Sequence, residues 1–158
     1  MVCTVVSAYY VISSKFPKEQ YEQWGERFLT LDAPIVLFID PSMTDWVKQH
    51  RGDKPIHIVE MPFNDLEMWK KYKDVWREHH RMDPEKDIHS PELYAIWAQK
   101  STFVERAIQI NPFRTEYFFW CDFGIFREDY PAEVMRSFPS TRYPVSYTHL
   151  TLPTIYSV

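Results

Sequence analysis

Asp122 closes the aromatic run Tyr117-Phe118-Phe119-Trp120-Cys121, and an acid at the end of such a run can do chemistry. A carboxylate at the carboxyl end of a buried strand stands where α/β proteins gather metal and phosphate groups. Ionised, it offers only acceptor oxygens, which suits Mg²⁺ or Mn²⁺ with substrate phosphates completing the shell. The same carboxylate could instead cap the turn after the strand. Gly124, two residues on, carries no side chain and would let a ligand approach the backbone closely. Lys100 lies upstream, beside an apolar helical stripe, where an ammonium either snorkels to solvent or neutralises a diphosphate. Arg127 offers a planar fork for bidentate phosphate contact, or a plain surface charge.

Other constellations are weaker. The run HHRMDPEKDIH holds His79, His80, Asp83, Asp87 and His89, residue types that bind zinc, but at spacings of no established ligand pattern. No G-x-S-x-G elbow occurs, and Cys3 and Cys121 both lie in apolar runs, as buried reduced thiols do. Only three glycines are present, Gly25, Gly52 and Gly124, which excludes a G-x-G-x-x-G fingerprint and a Walker loop.

The elements that must position Asp122 follow from periodicity. Val2 to Tyr10 is β-branched and aromatic, a first strand. Pro17 opens a helix in which Tyr21, Trp24, Phe28 and Leu31 recur at helical spacing. Ile35 to Ile39 is continuously apolar, as a central parallel strand is, and ends at Asp40-Pro41. A short helix through Trp46 and Val47 ends at Gly52, and Ile56 to Glu60 is a third strand. Asn64 is placed to cap a helix from Asp65 to about His80. Ser90 and Pro91 open a long helix to about Gln109, with Leu93, Ile96, Trp97, Val104, Ala107 and Ile108 apolar, and Asn111-Pro112 ends it. Tyr117 to Cys121 is the fourth strand.

Strands alternating with helices predict an α/β fold with a mostly parallel sheet and right-handed crossovers. All strand ends then share one edge, which gathers Tyr9, Tyr10, Asp40 and Asp122. In the order 3-2-1-4, Tyr10 and Asp122 flank the crevice between the first and fourth strands. Tyr9 and Tyr10 read as core packing or base stacking, and Asp40 as a turn residue or a partner for a ribose or base.

A length of 158 residues with 45% hydrophobic content fits one packed domain. A formal charge of -4 and the absence of any unbroken basic run argue against nucleic acid as a partner. The apolar start is too short to span a bilayer and lacks a charged leader, so the expected location is cytoplasmic, at most peripheral to a membrane. All 40 charged residues lie within residues 1–143. Residues 144–158, PVSYTHLTLPTIYSV, resemble a translated sequencing adapter and are expected to be foreign and disordered, the natural chain continuing differently after Tyr143.

The phrases VVSAYY, YEQWGERFL, APIVLFID, SPELYAIWAQK and NPFRTEYFFWCDFGIFR together resemble the HtrL/YibB/WlaTC-like family over residues 1–143. That family is associated with surface-polysaccharide gene clusters and grouped with GT-A-type glycosyltransferase folds. The resemblance implies a Rossmann-like nucleotide-binding half, incomplete at the carboxyl end, a nucleotide-sugar donor and a glycan acceptor. It implies that Asp122 is catalytic and holds Mn²⁺ or Mg²⁺ as the first acid of an acid-x-acid motif, with Gly124 in place of the second. Trp97 and Lys100 match the helix before that motif, near the donor phosphates, and Tyr10 and Asp40 match strand ends that cradle the nucleoside. The alternative is a non-catalytic nucleotide- or carbohydrate-binding module.

Overall fold

A computed structural model describes residues 3–140. Four strands, β1 (Cys3–Tyr9), β2 (Ile35–Ile39), β3 (Ile56–Glu60) and β4 (Tyr117–Trp120), form one all-parallel sheet in the order β3-β2-β1-β4. Helices α1 (Lys18–Leu29), α2 (Thr44–Arg51), α3 (Glu67–Met82), α4 (Pro91–Ile110) and α5 (Ala132–Ser137) complete the described part of the chain. The expected α/β class, parallel sheet and strand order are all present. The foreign tail expected at 144–158 lies outside the described residues.

Alternation along the central strands sorts side chains into two cores. Val5, Tyr9, Ile35, Leu37 and Ile39 face Phe28, Leu29 and Val47 of α1 and α2. Val6, Val36 and Phe38 face Phe103 and Ala107 of α4. Every side chain of β2 is fully buried, which is why its run carries no polar residue. Phe103 packs on Phe38 at 4.7 Å and on Trp120 at 5.9 Å between centroids, a burial that stabilises by roughly 1.5–3 kcal/mol.

Local signals fixed several boundaries. Ser90 Oγ accepts the Leu93 amide at 3.3 Å with Pro91 in the first turn of α4, and Asn111 ends that helix in the left-handed region at φ 36°. Gly52 follows α2 with φ 60°, a backbone conformation that disfavours a side chain.

Two expectations need correction, and one helix was not foreseen. Asn64 does not cap α3; it lies within a 3₁₀ turn (Phe63–Asp65), and α3 starts only at Glu67. The open Met68 amide is met instead by Gln99 Oε1 of α4, at 2.9 Å, a partner too distant in sequence to be read from local pattern. The buried stripe of α4 is Ala95, Gln99, Phe103 and Ala107, whereas Ile108 stands 49% exposed. Helix α5, six residues long, has too little periodicity to be seen in sequence.

Arg51, the last residue of α2, is 2% exposed at the amino-terminal edge of the sheet. Its Nη1 donates to the Leu29 and Leu31 carbonyls (2.9 and 2.6 Å), and its Nη2 to those of Ala33 and Pro55 (2.8 and 2.7 Å). One guanidinium thereby joins the end of α1 to the approaches of β2 and β3. Burial lowers its pKa to about 10, so it stays charged at neutral pH.

Candidate functional site

Beyond the carboxyl ends of β1 and β4 lies an open cavity of about 400 Å³. This is the point where the chain winds away from β1 in both directions, to β2 on one side and β4 on the other, and where open α/β sheets bind ligands. The β1–α1 connector, the face of α4 and the loop after β4 enclose it.

Its charge is lopsided. Among the described residues Lys15, Lys18, Lys100 and Arg127 border it, against a single acid, Asp122. Asp122 Oδ1 accepts from Lys100 Nζ at 2.8 Å and from the Trp120 indole N–H at 2.9 Å. The pair is partly open to solvent, the Asp122 side chain 59% and the Lys100 side chain 32% exposed. The ammonium also lies over the Trp120 ring, 5.6 Å from its centroid. Arg127 stacks over Phe16 and Trp24, at 5.4 and 4.9 Å, and Lys18 is shared with Glu22 at 3.3 Å. Four cations around one carboxylate can gather a multiply charged anion.

The predicted residues divide. Asp122, Lys100, Trp97, Gly124 and Arg127 all border the cavity, as do Tyr9 and Tyr10. Both tyrosine rings are nonetheless committed to core. Tyr9 stacks on Phe123 at 4.8 Å, and Tyr10 packs against Phe63 and Phe103, on the opposite face of the sheet. Each ring is 6% exposed, which leaves no open face for base stacking. Both hydroxyls are buried without a hydrogen-bond partner, and burial pushes both phenols well above their ordinary pKa. Asp40 does not border the cavity. It accepts from the Ser42 amide and hydroxyl, at 3.0 and 2.7 Å, and caps the 3₁₀ turn (Pro41–Met43) after β2. Those bonds lower its pKa and account for it as a turn residue.

Gly124 answers to packing. A Cβ there would lie 3.1 Å from Trp24 and 3.3 Å from Tyr21 of α1. Gly25 of α1 is tighter still, because a Cβ would fall 2.0 Å from the Phe123 ring. The loop after β4 is pressed flat against α1, and that contact sets the height of Asp122 above the sheet. Cys121, beneath it, has its thiol pushed up to about 12, by burial first and then by the Asp122 charge, so it is no nucleophile at neutral pH.

At the other side of the cavity His89 was missed as a lining residue. Its Nδ1 lies 2.8 Å from Asp83 Oδ2, and the Tyr94 hydroxyl donates to the same oxygen. These bonds hold the Asp83 carboxyl at about 2, while burial and that carboxylate push Tyr94 up to about 12. The HHRMDPEKDIH segment thus closes a loop on itself: His80 Nε2 faces the Lys86 and His89 carbonyls. Trp97, 46% exposed, meets the edges of His89 and Tyr94 and presents an indole at the mouth.

A divalent metal finds little here. Among the described residues no three His, Cys, Asp or Glu side chains come together as ligands. The one acid at the cavity already bonds two donors. Lys15, Phe16 and Lys18 escaped sequence reasoning because the β1–α1 connector and the first residue of α1 carry no motif. The connector's place immediately after β1 was the available signal.

Among the described residues no helix is long and apolar enough to cross a membrane. No curated protein and no solved structure matches the chain. One family does, described as "Bacterial protein of unknown function (HtrL_YibB)", and its match runs over residues 3–152, past Tyr143 into the segment expected to be foreign. The four-stranded parallel sheet with its cationic cleft therefore belongs to a member of the HtrL_YibB family.

Proposed function

We propose that the cavity receives a nucleotide-sugar donor and that the chain is a glycosyltransferase acting on a glycan acceptor. The observation that carries this reading is the set of four cations around one acid at the β1/β4 edge. A nucleoside diphosphate brings two or more negative charges to a site of that kind, and the departing diphosphate needs them offset as the sugar transfers. Lys100 and Arg127 take the diphosphate in this reading, the Trp97 indole takes the face of a sugar or base ring, and Asp122 holds Lys100 in place. Surface polysaccharide is the acceptor class that the GT-A-like resemblance favours.

A non-catalytic binding module is the second reading. It is favoured by the Lys100–Asp122 ion pair, which ties up the one carboxylate that the described residues bring to the cavity. Calorimetric titration with UDP, UDP-sugars and other nucleoside-diphosphate sugars, followed by a donor-hydrolysis assay, tests both. The expected result is one-site binding that Arg127→Ala weakens about tenfold, the effect of losing a charged hydrogen bond, with slow donor hydrolysis. Binding without hydrolysis or transfer favours the module. Absence of binding by any nucleoside diphosphate sinks the transferase and the nucleotide-binding module alike, and leaves only a carbohydrate-binding module, which titration with free glycans tests.

A further inference from the structure

We propose that this site holds its phosphate ligand with the chain's own cations and without a divalent metal, the Lys100 ammonium being the charge that Asp122 holds against the anion. The inference rests on the donor-site reading for the ligand's class, but its test separates the two.

Three observations carry it. Among the described residues Asp122 is the only carboxylate bordering the cavity, and its Oδ1 is engaged by Lys100 Nζ at 2.8 Å and Trp120 Nε1 at 2.9 Å. A metal ion taking the other oxygen would sit beside Lys100 and among Lys15, Lys18 and Arg127, whose charges repel it. Second, residue 124 cannot supply a further carboxylate. Trp24 and Tyr21 stand 3.1 and 3.3 Å from where its Cβ would be, and they are held edge-to-face against each other and against Phe16. Third, Mg²⁺ and Mn²⁺ prefer oxygen ligands in an octahedral shell, and one half-engaged carboxylate leaves nearly all of that shell to substrate and water. Set against Asp122 and Glu22, which pair with Lys100 and Lys18, the four cations leave a surplus of two charges, which matches the diphosphate of a nucleotide-sugar without help.

The test is titration with inorganic pyrophosphate in EDTA, and again with excess Mn²⁺, by calorimetry. Binding in EDTA is expected, weakening steeply as salt rises, because screening acts on charge-held ligands. Lys100→Gln is expected to weaken it about tenfold, the loss of one charged hydrogen bond. Asp122→Asn, nearly the same shape, is expected to keep or tighten binding, since it removes an opposing charge. A metal-bridged site behaves oppositely: no binding in EDTA, recovery with Mn²⁺, and loss in Asp122→Asn. Any of those results overturns the proposal, as does failure to bind pyrophosphate under both conditions. The wild-type EDTA and salt series stands even if a variant does not fold. Pyrophosphate binding in EDTA with no gain from an attached nucleoside or sugar supports this inference and counts against the donor reading. Nucleotide-sugar binding that requires Mn²⁺ does the reverse.

Discussion

The two edges of the sheet treat positive charge differently. At the amino-terminal edge Arg51 is buried, and its two terminal nitrogens reach four carbonyls. At the carboxyl-terminal edge Lys100, Arg127, Lys15 and Lys18 stand around a cavity, held by one acid, aromatic faces and a neighbouring glutamate. A cation whose terminal nitrogens are both spent on backbone carbonyls serves the fold. A cation resting on a ring face keeps hydrogens free for a ligand. The difference separates a structural arginine from binding ones without reference to charge count.

The sharpest way to break that contrast is to remove one cation from each edge. Arg51→Met is expected to lower stability by about 3–5 kcal/mol in urea denaturation, because four carbonyls lose their charged partner inside the protein. Lys100→Gln is expected to lose less than about 1 kcal/mol, as partly exposed ion pairs do. Equal losses at the two edges would remove the distinction. Gly25→Ala comes next. Its new methyl would meet the Phe123 ring, and overpacking of this kind destabilises by about 1–3 kcal/mol. The double variant with Phe123→Leu should recover part of the loss in a thermodynamic cycle, and strict additivity would show that the two positions do not touch.

The smallest effect is in acid. Asp83 titrates at about 2 in the folded protein against an ordinary 3.8, so its native state favours the ionised form. Its stabilisation is full above about pH 4 and fades as pH falls toward 2. Asp83→Asn should flatten that part of the acid-denaturation curve. An unchanged curve would show that the Asp83–His89–Tyr94 loop does not hold that side of the cavity.

Legibility in the sequence followed how local each signal was. The β2 run, the Ser90-Pro91 start of α4 and the Gly52 and Asn111 ends are local statements about solvation and backbone, and they appear where expected. The parallel rule brought Asp122 to the rim beside Tyr9 and Tyr10, whereas Lys100, on a helix, was placed near it by the family resemblance. Asp40 was misleading, because a carboxylate at a strand end satisfies the next turn as readily as it meets a ligand. Arg51 could not be read at all: in a helix's last turn it looks like a residue answering the dipole, and only the assembled sheet edge buries it. Gln99 was hidden likewise, since its partner amide lies 31 residues away on another helix. For Tyr9 and Tyr10 the sequence left core packing and base stacking both open, because Phe123 and Phe103, far along the chain, decide what covers them.

The bare backbone at Gly25 bears on how this protein can change over generations. Phe123 sits on it without a gap and touches Tyr9 and Phe28 at the same time. A side chain at position 25 therefore fits only where the ring at position 123 is made smaller or moves aside.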